Sequence, residues 1–435
     1  MKNRLAVAAL VLLLGIALFY VIGNRNDSAA GEAPAISGAP AQADQLARGE
    51  YLAKAADCVA CHTDPGVGKE YAGGLAFRLP FGTIYSSNIT PDPQTGIGKY
   101  SDEDFLHAVR DGIRRDGAHL YPAFPYTAYT QLSRADVLAI KAYLFSLAPV
   151  KTPARANDLG FPFNQRWAMG FWNAAFFKNG RFEADPSKSP QWNSGAYLAT
   201  ALGHCGECHT PRNVGFGLSN DNALAGEELQ GWRAYNITSD LKHGIGAWSD
   251  ADLHAYLSTG HAPGHASASG PMGEAVYHSL QYLKTEDIDA LVTYLREVPA
   301  RSGKHPIDID PKPPAALAAD QNESGGAGPL ATSPGGELFA GACASCHQWN
   351  GAGRQSSYAA LLGTRGVNDA RGTNAVQAIL QGVHYTVGDH QVFMPGFAQG
   401  YSDTEVAALA NYVIAQFGGK EGTVTPDGVA HRRAL

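Results

Sequence analysis

Charge is scarce in this 435-residue chain. Asp, Glu, Lys and Arg make up only 17% of it, the formal net charge is −7, and no basic run occurs. Without a basic stripe there is no electrostatic footprint for nucleic acid, and that class of partner is set aside. Methionine is scarcer still: four in all, so any chemistry that needs a thioether has few candidates. No glycine fingerprint lies between a strand and a helix, and no other motif for a flavin, quinone or molybdenum cofactor is present, so the chain has no recognisable catalytic motif of its own. What is abundant is apolar and turn-forming: 45% hydrophobic residues, 50 Gly and 25 Pro. This composition suits compact, loop-rich globules, and the length fits two to four of them.

The N-terminus carries one uncharged run, Leu5 to Ile22, preceded by Lys2 and Arg4. As a helix it would be about 27 Å long, close to the thickness of a bilayer core. Positive residues before the run favour a cytoplasmic N-terminus with everything after it outside. Residues 1–24 therefore read as a signal anchor or a signal peptide, and either one exports the body to the periplasmic face of the inner membrane. The Ala-, Gly- and Pro-rich stretch 25–45 reads as a flexible linker.

Self-alignment supplies the architecture. Arg48-Gly-Glu-Tyr-Leu-Ala before Cys58 matches Ser194-Gly-Ala-Tyr-Leu-Ala before Cys205, and Gly336-Glu-Leu-Phe before Cys343 is a shorter third copy. Asn88-Ile-Thr recurs as Asn236-Ile-Thr, and Gly96-Ile-Gly as Gly244-Ile-Gly, both at an offset of 148. Recurrence at equivalent places makes Asn-Ile-Thr a structural turn rather than a glycosylation acceptor. Ser133, Thr285 and Ser402, each with acids in the next positions, signal terminal helices running to Leu147, Val298 and Phe417. Three units result, at 46–150, 191–300 and 333–418, with a connector at 151–190, a Pro-rich linker at 301–332 and a tail at 419–435. The connector is crowded with Trp167, Phe171, Trp172, Phe176 and Phe177, which reads either as packing between units or as a docking surface for a partner or membrane.

All six cysteines fall in Cys58-x-x-Cys61-His62, Cys205-x-x-Cys208-His209 and Cys343-x-x-Cys346-His347. On a helical turn the two thiols and the imidazole of each motif project from one face. That suits two thioether bonds and one iron ligand, so the pattern reads as covalent attachment of haem c, three in all, with His62, His209 and His347 as proximal ligands. A structural zinc site would need a second ligand pair beside each motif, and disulfides would not require the histidine. Met272 and Met394 each precede a terminal helix and are the expected distal ligands of the second and third haems. The first unit departs from this, because the residue 148 before Met272 is Phe124. Its missing ligand could be Met169, the one methionine left over once Met1 is placed at the cytoplasmic end, or His119 or His107, or the iron could be open to chemistry.

These residues resemble the tri-haem cytochrome c subunits of bacterial membrane-bound dehydrogenases. The likeness rests on Tyr-Leu-Ala before Cys58 and Cys205, the two Asn-Ile-Thr segments, Leu120-Tyr-Pro-Ala-Phe-Pro-Tyr126 and His204-Cys-Gly-Glu-Cys-His-Thr-Pro-Arg-Asn213, and spans Leu46 to Gly418. Members commonly have methionine at the position of Phe124, while a phenylalanine version resembles cytochromes paired with molybdenum hydroxylases. The resemblance implies a mostly α chain of three tandem class I cytochrome c-like domains after the N-terminal hydrophobic segment. It also implies a relay, in which a catalytic dehydrogenase subunit of flavin, quinone or molybdenum type passes electrons to the haems, and these reduce ubiquinone or a terminal oxidase. The alternative from a different class is a self-contained haem enzyme, of peroxidase or thiosulfate-oxidising type, working at an open first haem.

Overall fold

The computed structural model describes residues 33–41, 43–66, 68–304, 306, 332–354 and 356–435; the apolar run Leu5–Ile22 and most of the linker 301–332 lie outside them. Among the described residues no helix is long and apolar enough to cross a membrane.

The first unit contains α1 (Gln45–Ala55), α2 (Cys58–Cys61), the hairpin β1 (Ala76–Leu79) and β2 (Gly82–Tyr85), α3 (Asp102–Asp111), α4 (Tyr126–Tyr129) and α5 (Arg134–Ser146). In the connector, β3 (Asp158–Leu159) adds a third antiparallel strand beside β2, and α6 (Met169–Phe176) follows. The second unit repeats the order with α7 (Pro190–Tyr197), α8 (Gly206–His209), β4 (Glu227–Leu229), β5 (Trp232–Ala234) and α9 (Asp250–Thr259). It continues through β6 (His261–Ala262), β7 (Ala266–Ser267), α10 (Gly270–His278) and α11 (Thr285–Arg296). The third has α12 (Pro334–Ala342), α13 (Ala344–His347), α14 (Arg365–Asn368), α15 (Thr373–Gln381), the hairpin β8 (Val383–Val387) and β9 (His390–Met394), α16 (Asp403–Gly418) and α17 (Pro426–Ala434). The fold is mostly α, and the strands of the described residues are short and antiparallel.

One device repeats three times. The helix before each cysteine pair crosses the unit's last long helix at a glycine. A Cβ on Gly49 would stand 1.9 Å from the Ala139 carbonyl oxygen, one on Gly195 1.9 Å from that of Ala290, and one on Gly335 2.2 Å from that of Ala408. Only glycine lets the backbones approach so closely. In each case the next turn of the partner helix offers a tyrosine, Tyr143, Tyr294 or Tyr412, against the same spot. The third crossing uses Gly335, one residue before the Gly336 that sequence alignment selects.

The helix starts follow local chemistry. Ser133 accepts from the Asp136 N–H, and Ser402 forms a reciprocal capping box with Glu405. Thr285, read as a cap, is instead the first helical residue after Lys284. Ser101 with Asp104 and Ser249 with Asp252 build matching capping boxes on α3 and α9, and Gly112 and Gly260 end both helices in the left-handed region.

The first two units share one core, in which Leu52, Leu132, Val137 and Ile140 meet Tyr197, Leu202, Ile288 and Leu291. Their polar contacts are reciprocal. Tyr197 of the second unit donates to buried Asp136 of the first at 2.8 Å, while Tyr51 of the first donates to buried Asp287 of the second at 2.6 Å. Tyr51 and Tyr197 are equivalent in the repeat, so the two units face each other about a pseudo-twofold axis. Arg48 completes one side with a 2.7 Å ion pair to Asp136. On the other, the Gly38 N–H donates to Asp287 at 3.1 Å. Residues 33–41 are therefore seated against the units instead of forming a free tether, with Ile36 buried in the shared core.

The third unit docks on the second. Tyr385 donates to the Ala268 carbonyl, Tyr358 to that of Thr259, and Asn374 exchanges two hydrogen bonds with the Arg233 backbone. The tail 419–435 is part of this body: α17 buries Val429 against α16, and the Leu435 carbonyl accepts from Arg78 of the first unit.

Candidate haem sites

Each Cys-x-x-Cys-His motif forms a single helical turn at the end of its unit's leading helix, and all six thiols are free of disulfides. Burial pushes the Cys58 and Cys61 thiols up to about 12, and those of Cys205, Cys208 and Cys343 up to about 11.

The three imidazoles are held identically. His62 Nδ1 lies 2.7 Å from the Ser87 carbonyl, His209 Nδ1 2.6 Å from that of Tyr235, and His347 Nδ1 2.6 Å from that of Ala359. A carbonyl only accepts, so each Nδ1 must carry the proton and each Nε2 the lone pair, which is the tautomer a metal ligand needs. Burial also holds all three below the ordinary histidine range, keeping them neutral. Motif reading does not find these carbonyls. A signal for two of them is nevertheless present: Ser87 and Tyr235 immediately precede the repeated Asn-Ile-Thr segments. Those segments are buried turns, in which Asn88 accepts from the Thr90 N–H and donates to the Val150 carbonyl, with Asn236, Thr238 and the Arg301 carbonyl repeating the arrangement.

A cavity of about 1640 Å³ is lined by Cys205, Cys208, His209 and Met272 and by Cys343, Cys346, His347 and Met394, and reaches Cys61. Packed interiors rarely leave voids much larger than a water. Space on this scale, walled by apolar side chains and by the thiols and imidazoles of two motifs, fits large covalently held macrocycles. The residues present thus fit haem c. Met272 lies in the first turn of α10 and Met394 at the end of β9, each on the wall of the cavity that its histidine also lines.

The first unit differs. Phe124 stands edge-on to the His62 ring, 6.4 Å between centroids at 76°. Met169 is buried at the start of α6, and the next turn of that helix brings Asn173 to within 3.5 Å of His119 Nδ1 and 2.6 Å of the Tyr126 hydroxyl, which donates to it. His107 lies on the solvent face of α3, paired with Asp111 at 2.7 Å. An aromatic series runs from this site to the second: Phe124 meets Tyr129 at 5.5 Å, and Tyr129 meets His204, the residue before Cys205, at 5.5 Å.

Part of the connector packs between units. Trp172 donates to the Gly215 carbonyl and Phe176 fills the space over Gly215 and Gly217, packing α6 against the second unit. Phe161, Trp167 and Phe171 are exposed.

The cytochrome c family model matches residues 46–148 and 332–415. The chain is 42% identical to the fructose dehydrogenase cytochrome subunit of Gluconobacter japonicus over 409 residues, covering 91% of this chain and 84% of that one. It is 36% identical to the gluconate 2-dehydrogenase cytochrome c subunit of Pantoea cypripedii, covering 89% of each. It is also 42% identical to a nicotinate dehydrogenase polypeptide of Pseudomonas putida, a match that covers 86% of this chain but only 30% of that longer protein. With the paired thiols, the neutral metal-ready imidazoles and these likenesses together, the chain belongs to the family of cytochrome c subunits of membrane-bound dehydrogenases, which transfer electrons through c-type haem.

Proposed function

We propose that the chain holds three haem c groups, one in each of three tandem class I cytochrome c-like domains, and relays electrons from a catalytic dehydrogenase subunit to ubiquinone or a terminal oxidase. It would work at the periplasmic face of the inner membrane, associated through the N-terminal segment. The observation that carries this reading is the threefold recurrence of one arrangement, an imidazole with Nδ1 tied to a backbone carbonyl beside two free thiols. Bound haem supplies a one-electron ferric/ferrous couple. The protein's part is to attach it through Cys58, Cys61, Cys205, Cys208, Cys343 and Cys346 and to present His62, His209 and His347 as ligands. Met272 and Met394 close the second and third irons to substrates, as thioether ligation does in electron carriers. The aromatic series from Phe124 to His204 and the shared core of the first two units support short, fixed transfer between their haems.

For the first haem the sixth ligand assigned is Met169, the methionine that remains with Met1 at the cytoplasmic end and Met272 and Met394 on the other haems. Phe124, edge-on to His62, favours a second reading in which that iron is open and the chain is itself a haem enzyme. Haem quantitation and low-temperature electron paramagnetic resonance of the oxidised protein separate the two. Three low-spin haems per chain, one turning high-spin in Met169→Leu, support the relay. A high-spin haem in the unmodified protein that binds carbon monoxide on reduction supports the enzyme. Fewer than three haems per chain refutes the tri-haem reading.

A further inference from the structure

Arg365 opens α14 in the third unit, yet its side chain is spent on the second. It is 4% exposed. Its Nη1 donates to the Asn236 carbonyl at 2.9 Å and its Nη2 to that of Gly244, which places the guanidinium over the Trp248 and Tyr235 rings, 5.2 and 5.8 Å from their centroids. Both acceptors belong to the segment that follows Tyr235, whose carbonyl fixes His209. Among the described residues no carboxylate pairs with this cation, and its Nε–H, fully buried, has no acceptor. A buried charge without a counter-charge is strongly unfavourable, and so is a buried donor left unpaired. Arg365 lines the same cavity as Cys205, Cys208, His209 and Met272. The guanidinium therefore calls for an anionic acceptor on its cavity side, and haem brings two carboxylates on its propionate arms.

We propose that Arg365 of the third unit is the counter-cation for a propionate of the haem attached to the second unit. The inference rests on the proposed haem at Cys205 and Cys208. A cation held beside a haem disfavours the extra positive charge of the ferric state, so Arg365 raises the second haem's reduction potential. It also makes that haem a bridge between two units, so that docking of the third sets the driving force for electrons leaving the second. Two donors held on backbone carbonyls of one unit, with the charge kept beside its cofactor, are a use of the planar guanidinium that lysine cannot reproduce in full.

The test is a spectroelectrochemical titration of the full tri-haem protein and of Arg365→Gln, Arg365→Lys and Tyr358→Phe, with the second haem identified by the signal that Met272→Leu converts. Arg365→Gln is expected to lower its reduction equilibrium constant roughly tenfold, about 59 mV for a one-electron couple, and to leave the other two unchanged. Arg365→Lys, which keeps the charge, should stay within about threefold of the unmodified value. Tyr358→Phe removes a docking hydrogen bond without removing charge, and should not shift the second haem. An unshifted second haem in Arg365→Gln, or the same shift in Tyr358→Phe, overturns the proposal. If Arg365→Gln loses a haem, the propionate bending mode in the resonance Raman spectra of the unmodified and Arg365→Lys proteins decides: identical modes overturn it. A chain with no haem at Cys205 and Cys208 even when unmodified would instead refute the underlying tri-haem reading.

Discussion

Removing Arg48 should unseat the paired first and second units more than any surface change. Its Nε and Nη2 lie 3.0 and 2.7 Å from Asp136 Oδ1, the carboxylate is fully buried, and the Tyr197 hydroxyl from the second unit donates to Oδ2 at 2.8 Å. In Arg48→Met the carboxylate keeps one neutral donor from Tyr197 and loses the one cation paired with it among the described residues. Breaking a buried pair by deleting one partner costs about 3–5 kcal/mol, because the surviving charge is left uncompensated. At about 2–4 °C per kcal/mol for a cooperative block of 150–250 residues, the melting temperature should fall by about 6–20 °C. The assay is thermal unfolding followed by far-ultraviolet circular dichroism, with haem absorbance as a second probe. The triple variant Arg48→Met, Asp136→Leu, Tyr197→Phe replaces the whole network by apolar groups and should recover most of the loss, since well-packed apolar substitutes for buried pairs are often neutral. A loss below about 1 kcal/mol in the single variant would refute the reasoning, as would a triple variant no more stable than the single, since the single's cost is attributed to a stranded charge.

Gly195→Ala should destabilise by about 1–3 kcal/mol or more, because its Cβ would overlap the Ala290 carbonyl and push α7 from α11; chemical denaturation measures it. Met272→Leu and Met394→Leu should each convert one low-spin haem to a high-spin, carbon monoxide-binding one without changing haem content, read by paramagnetic resonance; no conversion would remove the residue as a ligand. Hydrogen bonds from the Ser402 side chain and backbone hold the Glu405 carboxyl below its ordinary value of 4.5. A depressed folded-state pKa gives stability that is fully present above pH 4.5 and is lost as pH falls through the folded value. Acid titration of Ser402→Ala should therefore show a shallower fall in stability below pH 4.5 than the unmodified chain, and an unchanged slope would sink the assignment.

What the sequence made legible was local. Thiols and histidine within one helical turn, and serine caps at Ser133 and Ser402, are specified by neighbours in the chain, and the structure has them in those roles. The tail hides α17 because a single buried side chain, Val429, gives no periodic stripe, and its seating comes from Arg432 and Arg433 reaching Glu228 and Asp403. Nor can spacing reveal that Gly38 belongs to Asp287, 249 residues away.

The duplication explains more than the recurrence of the Cys-x-x-Cys-His motif. Reciprocal Tyr51–Asp287 and Tyr197–Asp136 contacts are what a symmetric dimer of one ancestral unit would make, and joining two copies in one chain frees each half to diverge. The divergence is concentrated where symmetry no longer constrains it. The first unit has Phe124 in place of a thioether and receives α6 and the aromatic connector, while the second has Met272 and receives Arg365. The two halves of the pair therefore offer their cofactors different surroundings on a common scaffold: one site enclosed by aromatic rings, the other by a thioether and a buried cation. A scaffold cross-braced by buried carboxylates keeps the spacing of the two sites fixed while ligands and nearby charges set their potentials separately. Fixed distances with separately tuned sites are the physical requirement for moving electrons in one direction through a single polypeptide.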